Sequence, residues 1–154
     1  MKKLSIILPA HNEHGNINPI YKEIVVALSG CKYDYEILFV DDGSTDDTLN
    51  QIKKLTNSDS KVKFIELSRN FGHQNALKAG IDATNADVVI MMDCDLQHPP
   101  YLIIELLKNY ELGYEIVRTH RIDHISTGFL KAKTSNIFYK ILNKLSDIKL
   151  EQGS

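Results

Sequence analysis

The chain is short of several things, and each shortage closes off a class. Its 154 residues include only two cysteines, Cys31 and Cys94. Two thiols make no disulfide framework, so a reducing compartment is expected. Basic charge is not in excess: 18 Lys and Arg stand against 20 Asp and Glu, a formal net charge of −2. That balance gives no footprint for nucleic acid. No stretch approaches the roughly 20 apolar residues of a membrane-spanning helix. The N-terminal "MKKLSIILPAHNE" starts like a leader, but Pro9, Asn12 and Glu13 cut its apolar run short. A signal peptide needs a longer core and a small-residue cleavage site, so this run reads as a first strand. Internal repeats and low-complexity segments are absent. What remains is ordinary for a globular domain: 43% hydrophobic and 25% charged residues, in a length that suits one domain with a real core.

Four apolar runs stand out: "LSIILP" (4–9), "YEILFVDD" (35–42), "VKFIEL" (62–67) and "DVVIMMD" (87–93). They are short, rich in Ile and Val, and nearly continuous rather than alternating. That pattern marks strands buried on both faces, as in a parallel sheet. Helical stripes separate them. Ile17, Ile20, Tyr21, Ile24, Val25 and Leu28 form the first, with Pro19 fitting its first turn. Ser44, with Asp47 three residues on, predicts the N-cap of a second helix carrying Leu49, Ile52 and Leu55. A third helix is expected over 72–84, and a fourth after Pro99-Pro100 with Leu102, Ile103, Leu106, Leu107 and Tyr110. Alternating strand and helix predicts an α/β fold with a doubly wound, mostly parallel sheet flanked by helices. Beyond Gly113, "YEIVRTH" (114–120) reads as a further strand and 121–128 as a polar loop. Residues 129–145 then read as an amphipathic helix dotted with Lys131, Lys133, Lys140 and Lys144. That helix either packs on the sheet or lies at an anionic membrane surface.

In open α/β sheets, ligands bind beyond the carboxyl ends of the strands. Three strands here end in polar clusters: Pro9-Ala10-His11-Asn12-Glu13, Asp41-Asp42-Gly43-Ser44, and Asp93-Cys94-Asp95. A parallel sheet puts all three on one edge. Asp41-Asp42-Gly43-Ser44-Thr45 is either a capped strand–turn–helix or a carboxylate accepting hydrogen bonds from a base or ribose. A receiver domain also has acidic strand ends, but its phosphorylatable Asp and later Lys are not found in the required places. Asp93 and Asp95, two apart on an extended segment, point the same way. Like charges so close repel, and a hard divalent cation, Mg²⁺ or Mn²⁺, would resolve the repulsion. The alternative is a solvated acidic turn. Cys94 then points away and packs, while Gln97 reaches the same region. His120 and His124 have a helical spacing but sit at a strand end and loop, which is poor ground for zinc. Arg69, Arg118 and Arg121 are candidates for a diphosphate.

At this point "SIILPAHNE", "EILFVDDGSTDDTL", "SRNFGHQNALKAGIDATNADVVIMMDCDLQHPP" and "FLKAKTSNIFYKILNKLS" resemble the family-2 glycosyltransferases of the GT-A fold. The nearest subgroup is the polyprenyl-phosphate glycosyltransferases, which act on dolichyl or undecaprenyl phosphate. The resemblance runs from about residue 4 to the C-terminus. The strand-end DDGS together with DxDLQxPP is specific, whereas DxD alone would be weak.

The resemblance implies nucleotide-binding roles for Pro9, Ala10, Asn12, Glu13, Asp41 and Asp93. It implies metal-binding roles for Asp93 and Asp95 with Gln97 nearby, and a diphosphate contact for Arg121. Arg69 to Gly72 would shape the site floor. The chemistry implied is metal-dependent, inverting transfer of a sugar from a UDP- or GDP-linked donor, with Mg²⁺ or Mn²⁺ as cofactor. The implied acceptor is a polyprenyl phosphate in cell-envelope glycan synthesis, with the enzyme cytoplasmic and at the cytoplasmic face of the membrane. The alternatives are a donor-binding module without turnover and a glycosyltransferase with a non-lipid acceptor. A nucleotidyltransferase would need a Gly-rich basic loop after the first strand, which "PAHNEHGN" is not. The sequence departs from the family at His11, often aromatic there, and at His98. It also departs at Thr119-His120-Arg121, usually Gly-x-Arg, and at His124. The family continues past "EQGS", so residues 1–154 are expected to be one donor-binding domain, truncated before the acceptor-side region and any membrane segments. No residue of the chain stands out as a catalytic base.

Overall fold

The structure, a computed structural model, describes residues 1–96 and 99–119. The chain divides into two compact units, Met1–Gly113 and Tyr114–Ser154. The first holds four strands and four helices in strict alternation: β1 (Lys3–Ala10), α1 (Ile17–Ala27), β2 (Asp34–Asp41), α2 (Thr48–Ser58), β3 (Val62–Glu66), α3 (His73–Ala83), β4 (Val88–Met91) and α4 (Leu102–Glu111).

All four strands run parallel, in the order β3-β2-β1-β4. The continuous apolar runs have the predicted consequence. In β1, every residue from Leu4 to Ala10 is buried, because this central strand is covered on both faces. Leu4, Ile6, Leu8, Ile37 and Phe39 join one core cluster with Ile17, Ile20 and Ile24 of α1, Ile52 of α2 and Ile103 of α4. Ile7, Leu38 and Val40 face the other way and meet Ala76 of α3. Each fully buried Ile or Leu contributes about 1.5–3 kcal/mol. Helices on both faces make the layout doubly wound.

Helix α3 lies close on the sheet at Gly80. A Cβ there would come 2.5 Å from Ile7 Cγ2 and 3.2 Å from Val40 Cγ2. Gly80→Ala should therefore destabilise by about 1–3 kcal/mol despite the higher helix propensity of Ala, which chemical denaturation would measure. A stabilised variant would contradict the close contact.

Three local expectations are corrected. Ser44 does not cap α2, which begins at Thr48 behind Asp47. The Ser44 hydroxyl instead accepts the Asn12 backbone N–H at 3.0 Å, so a contact between two loops wins over the local cap. The fourth strand stops at Met91 rather than residue 93, and Cys94-Asp95 form a turn. Residues 114–119 are not a strand. The expected loop over 121–128 and amphipathic helix over 129–145 lie outside the described residues.

Candidate functional site

The strand register brings the polar clusters together. Ala10 pairs with Asp41 and Ile7 with Met91, so the loops after β1, β2 and β4 leave the same edge of the sheet. They surround a cleft of about 390 Å³. Pro9, Ala10, His11 and Glu13 line it from the β1 end, and Asp42 from the β2 end. Asn70, Gly72 and His73 form the wall before α3, and Asp93, Cys94 and Asp95 close it below β4.

The loops after β1 and β2 are tied directly. Asn12 adopts a left-handed backbone, φ 58°. Its side-chain Oδ1 accepts the Thr45 N–H at 2.8 Å and the Thr45 hydroxyl at 3.3 Å. The Glu13 N–H donates to Thr48 Oγ1 at 2.8 Å. His11 Nδ1 lies 2.8 Å from the Asp42 carbonyl oxygen. A carbonyl only accepts, so Nδ1 carries the proton. His14 Nδ1 and Asp46 Oδ2 pair at 2.8 Å. Burial raises the Asp46 pKa, but hydrogen bonds from Thr48 and His14 outweigh it and leave the group well below the usual carboxylate range.

The two adjacent aspartates do different things. Asp41 is buried, 1% exposed. Its Oδ2 accepts the Ser44 N–H at 3.2 Å, while Oδ1 is buried with no partner among the described residues. A buried acceptor left unmatched costs about 1–3 kcal/mol, so this oxygen suits a ligand donor. Asp42 instead grips the protein: Oδ1 accepts the Phe71 N–H at 2.8 Å and Oδ2 the Gly72 N–H at 2.9 Å. Gly72 also donates to Asn70 Oδ1 at 2.9 Å. The Asn70–Gly72 wall thus hangs from the end of β2. Arg69 stacks its guanidinium 4.5 Å above the Phe71 ring.

Asp93 and Asp95 lie on the turn after β4, with Cys94 between them. The Cys94 thiol is 2% exposed and donates to the Pro9 carbonyl at 3.4 Å. Burial first, then the nearby carboxylates of Glu13, Asp93 and Asp95, push its pKa far up, so it packs as an inert thiol. Leu96 follows with φ 60°, a left-handed conformation that costs a branched side chain about 1–2 kcal/mol. Two carboxylates in one open cleft are a hard donor set that leaves coordination positions for phosphate and water, which suits Mg²⁺ or Mn²⁺. Among the described residues no third His, Cys, Asp or Glu completes a metal cluster. The fit is therefore to an ion shared with a ligand, not to an all-protein cage.

Of the residues singled out in the sequence, Pro9, Ala10, Glu13, Asp93 and Asp95 line the cleft. Asn12 braces the two loops, and Asp41 sits one residue behind the cleft wall. Gln97, Arg121, His120 and His124 lie outside the described residues. Sequence reasoning missed the clamp at Asp42, whose partners lie 29 and 30 residues away. It also missed His73. The available signal was position: a residue opening the helix after β3 belongs to the same sheet edge.

Residues 5–153 match the glycosyl transferase family 2 profile. A Bacillus subtilis protein named as glycosyltransferase CsbB is 43% identical over 150 residues, covering 97% of this chain and 45% of that protein. The bactoprenol glucosyl transferase of Shigella phage SfX is 39% identical, covering 98% of this chain and 50% of its own length. The chain thus spans about half the length of the curated relatives it matches. Among solved structures, glucosyl-3-phosphoglycerate synthase of Mycobacterium tuberculosis, in complex with Mn²⁺, UDP and glucosyl-3-phosphoglycerate, superposes with a TM-score of 0.55 at 27% identity. That overlap covers 74% of this chain and 41% of the synthase.

Proposed function

The chain belongs to glycosyl transferase family 2, with the GT-A fold, and from that premise we propose that it holds the nucleotide-sugar donor of a metal-dependent glycosyltransferase. The observation that carries this reading is the meeting of three strand-end loops at one cleft. Asp93 and Asp95 offer a pair of carboxylates to it, and Asp41, next in sequence to the cleft-lining Asp42, has a buried oxygen without a partner among the described residues. Asp41 would accept from the base or ribose. Pro9, Ala10 and Glu13 would line the nucleoside, with Asn12 fixing their loop. Asp93 and Asp95, with Gln97, would hold Mg²⁺ or Mn²⁺ against the diphosphate, and Arg121 would contact the same phosphates. The ion, when bound, supplies charge to the leaving nucleoside diphosphate.

The acceptor we propose is a polyprenyl phosphate. The support is the similarity to the bactoprenol glucosyl transferase of phage SfX. A phosphomonoester with a second pKa near 6 is already an anion at neutral pH, so inverting displacement needs no strong general base. This accords with the absence of an evident base in the sequence. Work at the cytoplasmic face of a membrane would be served by the lysine-dotted apolar segment over 129–145. Among the described residues, no helix is long and apolar enough to cross a membrane.

The test is titration with UDP- and GDP-sugars, with and without Mn²⁺ or Mg²⁺. Metal-enhanced binding of one of them is expected, and no binding to any in metal would sink the proposal. The share of the relatives that is covered favours a second reading for this stretch taken by itself: it binds donor without transferring sugar. Transfer to polyprenyl phosphate by this chain would exclude that reading.

A further inference from the structure

We propose that His73 is a positioning residue for Asp93, setting the direction in which that carboxylate meets the metal; this rests on the metal-dependent donor reading above. His73 opens α3, and its Nε2 lies 3.5 Å from Asp93 Oδ1. Both side chains line the cleft, and both are partly open to solvent, 50% and 42% exposed. The two come from elements 20 residues apart in sequence, so local chain geometry does not account for the approach.

The placement of His73 is itself fixed. Its neighbour Gly72 and the preceding Phe71 give their backbone N–H groups to the two oxygens of Asp42. A bracket therefore runs from the end of β2, through Asp42 and Gly72, to His73, and across the cleft to Asp93. A partner facing one oxygen biases the orientation of a carboxylate. Such outer partners of a metal ligand fix its orientation, and their loss usually weakens metal binding about 10–100-fold. At 3.5 Å the pair is within ion-pair reach but longer than a hydrogen bond, and the proposed role requires it to shorten when Asp93 takes up its ligating orientation. The bracket also gives Asp42 a purpose beyond holding a loop: it ties the nucleoside side of the cleft to the diphosphate side.

The experiment measures Mn²⁺ affinity by electron paramagnetic resonance of the free ion, with UDP present, for the wild-type chain, His73→Ala and His73→Gln. Glutamine can place an amide N–H where Nε2 stands. His73→Ala should weaken Mn²⁺ binding about tenfold. His73→Gln should recover to within about threefold of wild type. The melting temperature should not move in either variant, since the side chain is half exposed. His73→Ala within twofold of wild type would overturn the inference. So would His73→Gln as weak as His73→Ala, which would instead make the imidazole itself the functional group. A wild-type chain that binds no Mn²⁺ with UDP would remove the donor reading and this inference with it. Failure confined to the variants would remove only the role of His73.

Discussion

Asp95→Ala is expected to abolish the metal-dependent part of UDP binding while leaving the melting transition in place. The cleft holds Asp93 and Asp95 on one short turn, and no further His, Cys, Asp or Glu among the described residues joins them into a cluster. A divalent ion held by so few protein oxygens cannot lose one cheaply. Removal of a ligand should cost at least as much as removal of an outer partner, so a loss on the order of 100-fold or more in metal-enhanced affinity is expected. That corresponds to about 2.7 kcal/mol or more. The packed core has little reason to respond. Asp95 is not part of either core cluster, and its removal relieves the repulsion of its neighbour. Calorimetric titration of UDP with and without Mn²⁺, beside a thermal melt, separates the two effects. Retained metal enhancement would reject Asp95 as a ligand.

The parallel sheet was legible because its cause is local. A strand buried on both faces must be apolar at consecutive positions, and Ile6 to Leu8 and Ile37 to Val40 are. The shared edge of the site followed from the sheet. The division of labour between Asp41 and Asp42 did not. It is set by which amides arrive from the segment before α3, and nothing near residue 42 announces Phe71 or Gly72. Ser44 shows the converse. Its capping signature is a good local rule, but the Asn12 N–H takes the hydroxyl first. The acidic pair was found by composition and misread in geometry. The sequence predicts an extended segment, whereas the chain turns at Cys94-Asp95 and reaches Leu96 with positive φ. His73 carried no sequence signal of its own and acquires its meaning only from Asp93 across the cleft.

Gly43→Ala should lower both stability and donor affinity. Gly43 has φ 64°, where a side chain costs about 1–2 kcal/mol. Space is the larger difficulty. A Cβ at Gly43 would stand 2.3 Å from the Arg69 carbonyl carbon, 2.6 Å from the Arg69 Cα and 2.6 Å from the Asn70 nitrogen. All three are backbone atoms, so no side chain can swing aside. The segment from Arg69 to Gly72 would have to shift, and it is held by both oxygens of Asp42. Overpacking of this kind adds about 1–3 kcal/mol, giving a total of about 2–5 kcal/mol. Against a typical stability of about 5–15 kcal/mol, a fall in melting temperature of roughly 10 °C or more is expected. UDP affinity should fall with it, because the displaced segment carries Asn70, Gly72 and His73 into the cleft wall. Gly30→Ala is the control. Gly30 has φ 79° but nothing within 4 Å of its Cβ position, so it meets the backbone cost without the collision. Equal melting shifts for the two variants would refute the close approach of the turn after β2 to the Arg69 segment. A larger shift at Gly43, with UDP binding lost only there, would tie that approach to the donor site.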